Sequence, residues 1–329
     1  MKYFLGIDIG GTKCAVSVAE NRKSDIISKI TFATENSRGR TAVINDIISS
    51  AESVLRNIGA SPDDVLSAGI SCGGPLDSKS GIIISPPNLP GWNNVPVCDI
   101  INKKFGFPVF LQNDANACAL AEWKFGAGRG CKNMIFLTFG TGMGAGLILD
   151  GRLYSGTNDL AGEAGHIRLS QCGPVGYGKE GSFEGFCSGG GIERFAKQKA
   201  KEMLESGRTS PLIRNESDIQ NLTAKTLAKA AEKGDEFSVE IYKECGSRLG
   251  EGLAVLVDIL NPECIVIGSI YARSEKLLRS SMLKTLQKEA LLQALSVCRV
   301  VPAALGENIG DYAALGVASD GYERMITSA

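Results

Sequence analysis

Short apolar runs alternate with amphipathic stretches along the whole chain, a pattern that predicts an α/β protein. Tyr3–Asp8 reads as a strand, Gly10-Gly11 as a two-residue hairpin turn, Cys14–Ala19 as the returning strand and Ile26–Ala33 as a third. Thr41–Ile58 has helical periodicity and stops at Gly59. Val65–Cys72 is a strand that runs into the rigid turn Gly73-Gly74-Pro75, and residues 85–92, SPPNLPGW, form a proline-rich loop. A helix at Val97–Phe105 precedes the short apolar run from Pro108 to Leu111, a buried strand. The polar pair Asn113-Asp114 ends that strand, and alanine-rich Ala115–Phe125 follows as a helix closed by Gly126, with Asp114 in the N-cap place.

The second half opens the same way. Asn133–Phe139 is a strand, and Phe139–Gly151 is a glycine-dense turn leading into another. Two openings of strand, glycine hairpin and strand suggest duplicated lobes facing a cleft. Glycine recurs so often in Gly173–Gly191 that this segment is expected to be a folded loop without regular structure. Helices are expected at Ile192–Gly207, Thr223–Glu232, Phe237–Leu260, Ser274–Gln293 and Gly310–Glu323, and strands at Cys264–Ile267 and Val297–Val301. Asn261-Pro262 stops the longest helix.

Composition narrows the class. With 329 residues and a net charge of -1, the chain can hold two lobes and shows no footprint for a polyanion, so no nucleic-acid partner is expected. Ten cysteines without a CxxC pair suit reduced thiols in a cytoplasmic protein. No apolar stretch reaches bilayer length, and the N-terminal run carries Asp8 and no small-residue cleavage site.

Candidate chemistry falls on the punctuation between elements. A carboxylate at Asp114 is expected to stay ionised at a helix N-terminus and could take a proton from a substrate hydroxyl; equally, it could only cap the helix. Gly10, Gly11, Thr12 and Lys13 could present backbone and side-chain donors to a phosphate, and Asp8 could hold magnesium through water. The alternative is an ordinary Gly-Gly hairpin. Gly140-x-Gly142-x-x-Ala145 loosely fits a dinucleotide fingerprint, discounted because a strand follows where a helix is required. Asn88 is the residue that the rigid loop could present to a ligand, with Trp92 as packing. His166 is the only histidine, three residues after Glu163. Glu184 lies in the glycine-rich loop and could equally be a solvated surface charge.

Taken in order, IDIGGTK, GGP, PNLPGW, NDANACALAE, FGTGMGAG, GEAGH, Glu184 with Ser188-Gly189, LNPECIVIGS and LGENIGDYAALGVA resemble the ROK family, named for repressors, open reading frames and kinases. The similarity runs from Ile7 to Ala318. It implies an actin-like ATPase fold of two ribonuclease-H-like lobes with a cleft between them. The expected lobes are 1–115, completed by the C-terminal helix 310–329, and 116–309. The family's enzymes are ATP-dependent sugar kinases, so the resemblance implies phosphorylation of a hexose hydroxyl, with glucose the leading substrate. An N-acylhexosamine (N-acetylmannosamine or N-acetylglucosamine) or fructose is the alternative acceptor. Family repressors carry a DNA-binding domain ahead of the sugar lobe; the phosphate hairpin here starts at residue 6, so no such domain is expected. A sugar-sensing regulator without that domain is the reading from another class, and a protein-binding ATPase is a third.

By resemblance, Asp114 is the base and Asn113 contacts neighbouring hydroxyls. Glu163, His166 and Glu184 hold the far side of the sugar, with Gly74 and Asn88 beside them. Gly10–Lys13 and Gly140, Thr141, Gly142 and Gly144 cradle the triphosphate, and Gly268 and the Gly310 region shape the adenosine slot. ATP and magnesium are the implied cofactors, and a homo-oligomer, a dimer, the implied assembly. Most family kinases also bind a structural zinc through the ExGH histidine and a cysteine loop. Here Val175, Tyr177 and Ser182 replace the three cysteines, with Cys172 and Cys187 outside the pattern. No zinc site is therefore expected, and the loop should be held by packing of Tyr177 and Phe183.

Overall fold

The computed structural model describes residues 1–21 and 25–328. In chain order the strands are β1 (Tyr3–Ile9), β2 (Lys13–Glu20), β3 (Ile26–Ala33), β4 (Val65–Cys72), β5 (Leu76–Asp77), β6 (Ile82–Ile83) and β7 (Val109–Asn113). Then come β8 (Met134–Leu137), β9 (Ala145–Leu149), β10 (Arg152–Tyr154), β11 (Val175–Gly176), β12 (Lys179–Glu180), β13 (Cys264–Ile267) and β14 (Arg299–Pro302). The helices are α1 (Arg40–Asn57), α2 (Val97–Phe105), α3 (Asp114–Phe125), α4 (Phe183–Phe186), α5 (Gly189–Glu205) and α6 (Glu216–Ile219). They continue as α7 (Ala224–Ala231), α8 (Glu236–Leu260), α9 (Ile270–Glu289), α10 (Leu292–Leu295) and α11 (Ile309–Ser328). None of the described helices is long and apolar enough to cross a membrane.

The chain divides into two compact units. Unit 1 comprises 1–130, 146–161 and 304–329; unit 2 comprises 131–145 and 162–303. In unit 1 a five-stranded sheet runs β3-β2-β1-β4-β7. The β1–β2 and β2–β3 pairs are antiparallel, and β1–β4 and β4–β7 are parallel. Helix α1 covers one face, putting Ile47 and Val54 into a core with Leu5, Ile7, Val16 and Ile70. On the other face α11 comes so close that a Cβ at Gly69 would strike the Ala314 carbonyl and the Ala318 amide. Ser67 Oγ donates to Ala318 O at 2.9 Å and fixes that approach. Helix α3 packs on α11 through Gly316, where a Cβ would lie 3.2 Å from Ala121 N. The units differ from the expected lobes because α3 and the β9–β10 hairpin from Gly146 onward pack in unit 1, beyond residue 115. The α3 residue Asn116 donates to Gln112 Oε1 at 3.0 Å and to Ser155 Oγ at 3.3 Å, which ties those segments together.

In unit 2, β8, β13 and β14 run parallel, and all four residues of β8 and of β13 are buried. Helices α8 and α9 meet across Gly250, where a Cβ would stand 2.5 Å from Met282 O. Asn261 ends α8 in the left-handed region, φ +43°, a conformation that asparagine tolerates better than most residues.

Two expectations from the sequence are corrected here. Residues 173–191 contain regular structure: β11 and β12 pair as a hairpin, Ser182 Oγ caps α4 and Ser188 Oγ caps α5 from Gly189. The glycines serve backbone packing, since a Cβ at Gly185 would strike Pro174 O and one at Gly191 would strike Gly185 O. Tyr177 does not pack; it is 84% exposed, whereas Phe183 is fully buried and its ring lies against Gly252.

Candidate active site

In unit 1 the candidate residues collect at the tip of the β1–β2 hairpin. Gly10 N donates to Lys13 O at 3.1 Å, closing the turn. Neither glycine has a positive φ. They are needed for space: a Cβ on Gly10 would lie 2.7 Å from Lys13 O, and one on Gly11 would lie 2.6 Å from Asn88 O. Thr12 and Lys13 are exposed at the tip. Thr34 Oγ1 donates to Gly10 O at 2.6 Å, and Asn36 Nδ2 donates to Gly11 O at 3.0 Å. The structure thus brings the hairpin, the Gly73-Gly74 turn and Asn88 together, since the Asn88 amide stands 3.3 Å from where a Cβ on Gly73 would be.

Asp8 lies just below the tip. Burial, then the charge of Asp311, push its pKa up to about 6; Lys13 and a Ser71 hydrogen bond pull the other way, and Asp114 adds to the rise. A Cβ on Gly310 would sit 2.8 Å from Asp8 Oδ2, so α11 starts almost on top of the carboxylate. Asp311 is 5% exposed and pairs with Lys29 at 2.5 Å. The sequence reading missed Asp311, because an acid in a helix's first turn is an ordinary dipole choice. It also missed Thr34, Asn36 and Ser71, which carry no motif of their own.

At the β7–α3 junction the cap is Asn113, not Asp114. Asn113 Oδ1 accepts from Asn116 N at 2.8 Å, which commits half of its amide to the helix. Asp114 is the first residue of α3, and its Oδ1 accepts from its own neighbour, Ala115 N, at 2.9 Å. Asp114 is exposed as a residue, although protein packs densely around its carboxyl group. That desolvation pushes its pKa up, against the Ala115 hydrogen bond, which pulls it down. Burial outweighs the hydrogen bond, so the net shift is upward from the ordinary carboxylate value.

In unit 2 the candidate residues gather around the second glycine turn. Thr138, also missed from sequence, bonds Gly144 three times: its Oγ1 accepts from Gly144 N at 2.8 Å and donates to Gly144 O at 3.3 Å, and its own N–H donates to Gly144 O at 2.9 Å. Gly140 N donates to Gly142 O at 3.1 Å, and Gly140 O accepts from Gly189 N at 2.8 Å. Thr141 is exposed. Glu184 is no free surface charge: its Oε2 accepts from Met143 N at 3.0 Å and would stand 2.8 Å from a Cβ on Gly142. A Cβ on Gly165 would strike Met143 O, so the Glu163–His166 turn packs on the same hairpin, with Glu163 and His166 exposed. Gly268 lies at the end of β13 against Phe136 and beside the same turn: its N–H donates to Leu137 O at 2.9 Å, and the next residue, Ser269, stands 3.6 Å from where a Cβ on Gly140 would be.

Among the described residues no group of three histidine, cysteine or acidic side chains is arranged to hold a metal. A dedicated cage is not what magnesium needs. It keeps several waters and takes one or two carboxylates plus phosphate oxygens. Asp8, crowded by Asp311 and Asp114, fits that use, because a cation there relieves their repulsion. Of the two cysteines on either side of the zinc-loop pattern, Cys187 is buried and its thiol donates to Cys245 O at 3.5 Å, while Cys172 is exposed. A separate groove of about 1160 Å³ in unit 2, lined by Phe186, Phe195 and Asp235 among others, contains none of the residues expected at the site.

The sheet of unit 1 with its closing helix, and the two glycine hairpins, define the class: an actin-like ATPase fold. The ROK family profile matches residues 4–320, and the chain belongs to this family. It is 33% identical over 323 residues to a glucokinase of Thermotoga maritima, with 98% of both chains covered. It is 30% identical to a xylose repressor of Caldicellulosiruptor bescii, covering 80% of this chain and 65% of that one. Among solved structures, a ROK family glucokinase from Streptomyces griseus in complex with glucose and AMPPNP matches with a TM-score of 0.73. It is 30% identical, and the match covers 96% of this chain and 99% of that one.

Proposed function

We propose that this chain is an ATP-dependent sugar kinase that phosphorylates a hexose hydroxyl, with glucose the leading acceptor. The observation that carries the reading is Asp114: an accessible carboxylate, raised by burial, at a strand–helix turn in a chain of this family. A base with a raised pKa takes a hydroxyl proton more readily than an ordinary aspartate would. As the sugar oxygen bonds to the γ-phosphorus, the bond from that phosphorus to the β,γ-bridging oxygen breaks. The hydroxyl proton passes to Asp114, and ADP leaves.

The remaining roles follow the chemistry of each group. Asn88, the Nδ2 of Asn113 left over from its capping bond, Glu163, His166 and Glu184 are hydrogen-bonding partners for sugar hydroxyls, with Gly74 leaving room beside them. Gly10–Lys13 and Gly140–Gly144 supply donors to the phosphates, and Gly268 belongs to the adenosine slot. Magnesium bound with the nucleotide would be held through water by Asp8 and would neutralise phosphate charge. A cytoplasmic homodimer without nucleic-acid partners belongs to the same reading.

The test is sugar-dependent ADP release from the full chain over a panel of glucose, mannose, fructose, N-acetylglucosamine and N-acetylmannosamine. Turnover confined to glucose supports the leading acceptor, and turnover with an acetamido sugar or fructose moves the assignment to that alternative. The likeness to a xylose repressor supports a second reading, a sugar-binding regulator. Sugar binding without ADP release would favour it, and ADP release without any sugar would favour an ATPase.

A further inference from the structure

Two arms of unit 1 that serve different ligands in the proposed reaction meet at one side chain, Asn36. It follows β3 in a single turn of 3-10 helix, residues Asn36–Arg38, entered through Glu35 in the left-handed region at φ +45°. Its Nδ2 donates to Gly11 O in the phosphate hairpin at 3.0 Å and to Asn88 O in the proline-rich loop at 3.3 Å. The hairpin and loop already touch through backbone, since a Cβ on Gly11 would lie 2.6 Å from Asn88 O. Thr34, two residues earlier, grips the same hairpin: its N–H donates to Thr12 O at 3.0 Å and its hydroxyl to Gly10 O at 2.6 Å.

This geometry makes particular use of an amide. A carboxamide nitrogen has two protons, and here each faces one carbonyl oxygen from a different segment. Without that donor, two carbonyl oxygens converge with nothing between them, and their dipoles push the segments apart. The other half of the amide shows that the donor is what matters: Asn36 Oδ1 is buried with no hydrogen-bond partner. Burying an unsatisfied acceptor costs free energy that a residue chosen only for packing would not incur. Asn88 in turn sets its own amide against Gly73, so a shift of the loop backbone moves the group offered to the sugar.

We propose that Asn36 is a positioning residue that holds the phosphate hairpin and the sugar loop in one register. Affinity for nucleotide and affinity for sugar then depend on the same side chain. The inference rests on the kinase reading above.

Two variants test it. Asn36→Ala removes the donor. Asn36→Asp keeps the shape but presents an acceptor and a charge to two carbonyl oxygens, and it carries the test if the alanine variant does not fold. The KM values for ATP and for sugar should rise together, about five- to tenfold in Asn36→Ala and more in Asn36→Asp, as expected for one or two lost hydrogen bonds. kcat should fall less than either KM rises. A rise in the ATP KM alone overturns the coupling, because Asn36 would then serve only the hairpin. Unchanged KM values with a lowered melting temperature also overturn it, leaving Asn36 as structural support. The unmodified chain is the control: if no sugar stimulates ADP release from it, the kinase reading fails and this inference with it. An active parent whose two variants keep both KM values sinks the Asn36 assignment alone.

Discussion

Replacing Asp114 by asparagine separates catalysis from stability. Asparagine keeps the side chain's size and retains an Oδ1 for the 2.9 Å bond from Ala115 N, so the β7–α3 turn should survive. What disappears is the proton acceptor. Positioned bases contribute about 10²–10⁴ in rate, equivalent to roughly 3–5 kcal/mol of transition-state stabilisation. The expected result is a fall in kcat of that size with the sugar KM within about threefold, since ground-state contacts remain. The sign for stability follows from the raised pKa. A carboxyl whose folded pKa lies above its unfolded value is destabilised as the anion, and stability falls as pH rises from the unfolded value through the folded one. Above that window the neutral isostere should be as stable as aspartate or more so. Thermal unfolding at neutral pH should therefore show an unchanged or higher midpoint for Asp114→Asn, alongside lost turnover in the ADP-release assay. Near-normal turnover would reduce Asp114 to a structural residue. A large drop in midpoint would show that the anion is needed by the fold, and the burial argument would be wrong.

Other expectations follow from named contacts. Glu122 is fully buried, and its two oxygens accept from Ala127 N at 2.7 Å and Leu305 N at 2.9 Å; Glu122→Gln should cost about 2–3 kcal/mol in denaturant unfolding, because one backbone donor then meets an NH₂ group, and a cost near zero would show that these two bonds do not stabilise the fold. Asp311→Asn removes a charge that raises Asp8. If the acid limb of kcat/KM reports Asp8 ionisation, that limb lies near pH 6 in the parent and should move to lower pH in the variant; a limb that stays in place would detach Asp8 from it. Elemental analysis of protein prepared without chelator should find well under one zinc per chain, and chelation followed by return to magnesium buffer should leave activity intact; stoichiometric zinc lost together with activity would overturn this.

The sequence alone determined what is local. Hydrophobic periodicity placed Val97–Phe105 and the long helix up to Leu260 almost to the residue, because each amphipathic face is written into a few consecutive turns. The stretches around Asp8, Asp114 and the two glycine turns were legible for the same reason: a strand end, a turn and a helix start are short-range events. Choices between neighbours were less legible. Asn113 and Asp114 are both good caps, and only the backbone geometry at the end of β7 decided that Asn113 takes that place. The 173–191 segment read as irregular because glycine has no local preference; its order comes from backbone running against backbone at Gly185 and Gly191. Asp311, Asn36 and Thr138 were invisible for a different reason. Their meaning lies in which distant residue each one faces: Asp8 and Lys29, Gly11 and Asn88, Gly144. Burial, and the pKa shifts it causes at Asp8 and Asp114, are likewise sums over atoms far apart in the chain, so they exist only once the chain has folded.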